Sequence, residues 1–251
     1  MAVLPNVTSL SGEVSIHRDS EELAAAAARW LNGVCERAVA ATRSFSIALA
    51  GGGTPRQLYE LLAKDPWNTR IAWGAWHVFF GDERACPPND EASNYHMART
   101  TLLDHVPVPA GQIYRMPADR DDLDGACDEY ASVLGAVLTS DEAGIPRFDC
   151  VLLGLGENGH TASLFPGTPA LEVFDRWVTR GRADYPPFDR MTLTFPVINA
   201  ARAVAFLVNG ASKRQALVDT ASGTAPATRV RPANGALLWF IDAAAAGSAS
   251  A

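Results

Sequence analysis

Leu153-Gly-Leu-Gly-Glu-Asn-Gly-His-Thr-Ala-Ser-Leu-Phe-Pro166 is the stretch on which the reading of this chain turns. It continues an apolar run, Cys150-Val-Leu-Leu153, that reads as a buried strand. A glycine-dense turn then delivers His160 to the mouth of the fold. Glycines let the backbone take positive φ and let a ligand approach closely. Imidazole is the side chain best suited to proton transfer near neutral pH. Loops at the carboxyl ends of strands in α/β folds are where ligands bind.

The same stretch matches a dinucleotide fingerprint, Gly154-x-Gly156-x-x-Gly159, with Asp175 at roughly the distance of a ribose-binding acid. That fingerprint needs a long helix straight after the third glycine. Pro166, Gly167 and Pro169 interrupt any such helix. Too little sequence follows for a full double βαβαβ unit, so a nicotinamide or flavin role is set aside.

The chain has 251 residues, enough for one large core without staples. A formal charge of -7 with no Lys/Arg block disfavours nucleic acid. It leaves an anionic small molecule possible, because a local cluster of donors can reverse the field at one site. Cys35, Cys86, Cys127 and Cys150 form no C-x-x-C pair, so zinc is not expected and free thiols in a reducing compartment are. Met1–Gly12 has no signal-peptide pattern, and no run approaches about 18 apolar residues. A cytoplasmic protein is expected, acting on a small molecule without nucleic acid or membrane. A monomer is the expected state, with oligomers left open.

Strands are read at 14–17, 45–50, 76–80, 112–115, 149–154, 177–180, 191–195, 204–208 and 237–241. Helices are read at 21–41, 54–63 with Thr54 as cap, 93–103, 123–140 and 213–220. Strands alternating with helices give an α/β fold with a mostly parallel sheet and helices on both faces. The strands between 177 and 208 are read as a small antiparallel addition. One domain is expected over 1–242, followed by a flexible small-residue tail, 243–251.

Three further constellations carry chemistry. Gly51-Gly-Gly-Thr-Pro55 joins a strand end to a helix start, where free N–H groups and the helix dipole suit a phosphate. The bland alternative is a tight turn. Gly81-Asp-Glu-Arg84 offers Asp82 to position a base or a hydroxyl, and Arg84 to clamp an anion. The bland alternative is a solvated charged turn. Lys213, after a strand and Asn209-Gly210, is either a second phosphate donor or a plain exposed lysine. His17, His77, His96 and His105 have no metal-ligand spacing, and Ser163 lies in no nucleophile elbow. Three polar loops at strand ends converge if their strands are parallel neighbours.

Taken together these segments resemble the 6-phosphogluconolactonase family over roughly residues 14–242. The resemblance rests on Ala50-Gly-Gly-Gly-Thr-Pro-Arg-Gln-Leu-Tyr59, on Phe80-Gly-Asp-Glu-Arg84 with Ser93-Asn-Tyr95, and above all on the His160-Thr-Ala-Ser-Leu-Phe-Pro166 string. Gly210-Ala-Ser-Lys213 and Trp239-Phe-Ile-Asp242 add weaker support. The resemblance implies a modified Rossmann-like three-layer α/β/α fold, shared with glucosamine-6-phosphate deaminases and ribose-5-phosphate isomerases. It implies a cofactor-free, metal-free carboxylic ester hydrolase that opens a sugar-phosphate lactone in the pentose phosphate pathway.

On that reading His160 is the base for water attacking C1, and then the acid for the ring oxygen. Glycine-loop amides with Arg84 would stabilise the oxyanion. Gly52, Gly53, Thr54 and Lys213, again with Arg84, would hold the phosphate. Asp82 would either orient His160 or hold a sugar hydroxyl. The family commonly has Asp-Gly-His where this chain has Asn158-Gly159-His160. Asn158, counted among the substrate-binding residues, can accept a hydrogen bond but supplies no charge. Either Asp82 or Glu157 takes over, or the histidine runs at a lower pKa. The competing readings are a deaminase or isomerase of the same fold and a non-catalytic sugar-phosphate sensor.

Overall fold

The apolar runs of the sequence become the centre of a parallel sheet. The computed structural model describes residues 7–247. Its strands are β1 Glu13–His17, β2 Phe45–Leu49, β3 Trp76–Phe80, β4 Asp82–Arg84, β5 Cys150–Leu153, β6 Val178–Arg182, β7 Asp189–Leu193, β8 Ala203–Val208 and β9 Ala236–Asp242. Six of them form one sheet in the order β1-β9-β8-β5-β2-β3, and every pairing in it is parallel. Every residue of β2, β5 and β8 is buried. Central strands covered on both faces lose the alternation of a half-exposed strand, which is why they read as unbroken apolar runs.

The helices are α1 Ser20–Thr42, α2 Gly53–Leu62, α3 Trp67–Arg70, α4 Asn94–Ala98, α5 Leu123–Val137, α6 Phe195–Ala200, α7 Arg214–Ser222 and α8 Ala243–Ala246. α1 starts where Asp19 accepts the Glu22 N–H, with Glu21 and Glu22 against the positive end of the dipole. It packs on one face of the main sheet, to which Trp76 of β3 also points, its Nε1 donating to Cys35 Sγ at 3.2 Å. Phe79, an odd number of residues along the strand, points to the opposite face and meets Tyr130 of α5. Helices therefore cover both faces, as expected.

Two buried tyrosines fix the strand ends that carry the loops. Tyr59 Oη accepts the Ala50 N–H and donates to the Ala50 carbonyl, beyond β2. Tyr130 Oη accepts the Phe80 N–H and donates to the Tyr114 carbonyl, at the end of β3. Both satisfy backbone groups that leave the sheet ladder in a dry environment.

The second sheet is antiparallel, in the order β4-β7-β6. Gly81 joins the two sheets: its N–H donates to Leu49 O and its carbonyl accepts from Leu193 N, both at 2.9 Å. Here the structure corrects the sequence reading. Asp82–Arg84 is a strand, not a loop, because its partner β7 lies about a hundred residues away. Residues 203–208 join the main parallel sheet rather than the antiparallel addition.

Smaller differences are local. Gly52, not Thr54, is the N-cap of α2. Residues 112–115 give only a single bridge, Val78 to Ile113, after a 3-10 turn. The tail expected from 243 begins instead as α8, capped by Asp242, with Ala243 and Ala245 buried. Residues 248–251 lie outside the described residues. No helix among the described residues is long and apolar enough to cross a membrane.

Candidate active site

Chain order along the sheet reverses between β2 and β5: β3 lies beyond β2 on one side, and β8 beyond β5 on the other. Such a switch opens a crevice at the carboxyl ends of the strands. A cleft of about 500 Å³ lies there, lined by Gly51–Thr54 after β2, Asp82 and Arg84 after β3, Gly154–Asn158 and His160 after β5, and Asn209 and Lys213 after β8. The three polar loops of the sequence reading converge because β3, β2 and β5 are parallel neighbours. Every residue proposed for catalysis or substrate binding, from Gly52, Gly53 and Thr54 to Lys213, lines this cleft.

The histidine loop is closed by its own backbone. Gly156 N donates to His160 O at 2.8 Å, and Thr161 Oγ1 donates to Gly154 O at 2.9 Å. The imidazole lies directly over Gly156, where a Cβ would meet its ring atoms at 2.1 Å. Phe165 stacks on the imidazole, ring centroids 4.0 Å apart. No helix follows the third glycine before the short turn at Pro169–Glu172, so the segment lacks the dinucleotide geometry.

Asn158 Oδ1 accepts the His160 backbone N–H at 3.2 Å and lies 2.6 Å from His160 Nδ1. A backbone N–H can only donate, so the side-chain atom facing it is the amide oxygen. That oxygen can only accept, so Nδ1 carries the proton and Nε2 keeps its lone pair. Asn158 thus fixes the ring orientation and the tautomer, and leaves Nε2 able to accept a proton.

Burial pushes the His160 pKa down to about 4. Asp82 opposes that shift, Lys213 adds to it, Asp184 opposes it, and Arg190 adds to it. The imidazole is therefore neutral at pH 7. Of the alternatives the sequence left open, the histidine runs at a lower pKa, while the charge of Asp82 offsets part of the shift.

Asp82 is buried, and each of its carboxylate oxygens already accepts a hydrogen bond. Its Oδ2 accepts from Ser163 Oγ at 2.6 Å, and its Oδ1 accepts from Asn94 Nδ2 at 3.1 Å. It acts on His160 through charge and by anchoring Ser163, three residues along the same loop. Ser163 N also donates to Thr192 Oγ1 of β7, which ties the histidine loop to the second sheet. Asn94 in turn packs on Gly51, where a Cβ would sit 1.9 Å from its Oδ1, so the phosphate-ready loop and the Asp82 strand are locked together.

Glu83 accepts from Ser93 Oγ and from the backbone N–H groups of Arg84, Asn94 and Tyr95. Its carboxyl still titrates above its ordinary range because burial outweighs those bonds. Arg84 lines the cleft but has Nη1 bound to the Ala92 carbonyl, so only part of its guanidinium is available. Thr54 Oγ1 donates to Asn209 Oδ1 at 2.7 Å, joining the α2 start to the β8 loop. Gly210 N donates to Asp242 Oδ1 at 3.0 Å, and this holds the turn that presents Lys213.

Sequence reasoning missed Arg190, Asp184 and Tyr185, all of which line the cleft. They come from β7 and the hairpin tip before it, far from any glycine-rich motif. The burial of Arg190, which is 1% exposed, was the available signal only once β7 was known to pair with β4.

A family model described as glucosamine-6-phosphate isomerases/6-phosphogluconolactonase matches residues 18–239. This chain belongs to that family. It is 43% identical to the 6-phosphogluconolactonase of Synechocystis sp. over 82% of its own length and 85% of the relative. Its fold is similar to that of 6-phosphogluconolactonase from Trypanosoma brucei, with a TM-score of 0.85 and 30% identity over 95% of this chain and 98% of that one. A monomeric glucosamine-6-phosphate deaminase shares the fold alone, with a TM-score of 0.78 at 22% identity over 94% of this chain and 99% of that one.

Proposed function

We propose that this protein hydrolyses 6-phospho-D-glucono-1,5-lactone to 6-phospho-D-gluconate, the lactone-opening step of the oxidative pentose phosphate pathway. The observation that carries the reading is a neutral His160 with its proton fixed on Nδ1, in a cleft that also holds a helix start and Lys213. The named relatives support the substrate. The cleft volume suits a sugar phosphate. All four cysteines are free thiols, which fits action in a reducing cytoplasm.

His160 Nε2 removes a proton from water as the water oxygen bonds to C1, and the carbonyl electron pair moves onto oxygen. The tetrahedral intermediate collapses, the C1–O5 bond breaks, and the imidazolium returns its proton to O5. The acid formed ionises and releases one proton to solvent. Amides of Gly52 and Gly53 at the α2 start, with Lys213, hold the phosphate. Binding there is remote from C1, so it orients the lactone and selects against the unphosphorylated sugar.

The test is proton release from freshly prepared 6-phosphoglucono-δ-lactone, corrected for spontaneous opening, with and without EDTA. Rapid hydrolysis insensitive to EDTA is expected. A folded protein giving only the background rate would overturn the reading, and would turn attention to amino-sugar phosphates or to binding without turnover.

A further inference from the structure

Arg190 is a cationic group of the cleft to which the reaction above gives no role. It is 1% exposed, yet it lines the cleft wall. Its Nε and Nη2 are buried with no hydrogen-bond partner among the described residues. Those two nitrogens form one edge of the guanidinium, the fork that matches a carboxylate. The central carbon lies over the Tyr185 ring, 5.3 Å from its centroid, a cation–π contact that supplies no acceptor oxygen to these nitrogens. Buried donors without acceptors are rare in folded proteins, and a bound group is one standing explanation.

Its position says which group. Arg190 pairs with Arg84 across β4 and β7, on the same face as Asp82 and Thr192. The titratable groups bearing on it are Arg84, Asp82, Tyr185 and Glu83, all on the second-sheet side. The phosphate-ready elements, the α2 start and Lys213, follow β2 and β8 of the main sheet. His160 is within reach of the charges of both Lys213 and Arg190. A ligand with its phosphate at the first end presents its C1 end to the second.

We propose that Arg190 is a recognition site for the C1 oxygens: it receives the negative charge that develops on the carbonyl oxygen and then forks the carboxylate of the aldonate product. This rests on the lactonase reading and extends it to a second anion site. The cleft is thus built for a ligand carrying an anion at both ends, and product inhibition is a built-in consequence.

The experiment compares two ligands that share the phosphate end: 6-phosphogluconate, with a carboxylate at C1, and glucitol 6-phosphate, with an alcohol there. Dissociation constants are measured by calorimetry for wild type, R190Q and R190K, each checked for fold by circular dichroism. R190Q should weaken 6-phosphogluconate on the order of 10–100-fold, the range for a hydrogen bond to a charged group, and glucitol 6-phosphate by less than about threefold. R190K should fall between, since an ammonium keeps the charge and loses the fork, and it serves alone if R190Q does not fold. Equal weakening of both ligands would assign Arg190 to the phosphate and overturn the proposal, as would no change in either. Wild-type turnover of the lactone is scored separately, so failure of the activity and failure of this site are distinguishable.

Discussion

Asn158 Oδ1 stands 2.6 Å from His160 Nδ1 while also accepting the His160 backbone N–H, and this double contact decides which imidazole nitrogen carries the proton and which keeps its lone pair. An aspartate at 158 would orient the ring equally well and add a charge. Asparagine keeps the geometry and leaves the imidazole at about 4, under the control of burial.

The acid limb of the rate profile tests that arrangement. An imidazole with a pKa of about 4 stays a competent base well below pH 6.5. Asn158→Asp places a carboxylate against Nδ1 and should move the limb upward, with turnover at pH 7 little changed. Asn158→Ala should lower kcat about 10²-fold at pH 7, since the ring is no longer held in a productive pose. Imidazole NMR titration of the free protein checks the pKa directly. The same shift links to stability: between about 4 and 6.5 the unfolded chain binds a proton that the folded chain refuses. This contribution is complete above 6.5 and fades as pH falls toward 4.

His160→Ala should reduce kcat by two or more decades with the fold intact, the loss expected for a positioned acid–base group. Turnover like wild type would remove His160 from the mechanism.

Gly156→Ala should behave as a milder version of that change. The added methyl would fall 2.1 Å from the imidazole, so the ring must leave its place. The expected signature is a fall in kcat with little change in KM, because the phosphate end is untouched. Steady-state kinetics separates the two.

Lys213→Ala should mostly raise KM for the phosphorylated lactone, by about 10–100-fold if the ammonium holds the phosphate. A collapse of kcat at unchanged KM would place Lys213 at the reacting carbonyl instead.

Ser163→Ala removes the hydroxyl that donates to the buried Asp82 carboxylate at 2.6 Å. An acceptor left without its partner costs about 1–3 kcal/mol, measurable as a lower urea midpoint. Because that side-chain bond also ties the histidine loop to Asp82 of β4, kcat should fall as well.

The sequence by itself determined the elements whose signals are local. Unbroken apolar runs such as Ala203–Val208 mark central strands because both faces are covered. Gly51-Gly-Gly-Thr-Pro55 and the His160 loop announce themselves because backbone freedom and a helix start are encoded within a few residues. The Asn158–His160 pair spans two positions and was legible as a hydrogen-bonding possibility. Tertiary structure decided the rest. Asp82-Glu-Arg84 is a strand only because β7 pairs with it. Asp82 meets Ser163 rather than His160 because strand β4 and the distant histidine loop pack there. Arg190, in Asp189-Arg-Met-Thr-Leu193, reads as an ordinary charged position until a second sheet, folded over the histidine loop, buries it against the cleft. The physical reason is the range of the interactions. Backbone propensity and apolar patterning act over a few residues, while burial of a charge depends on which distant surfaces meet.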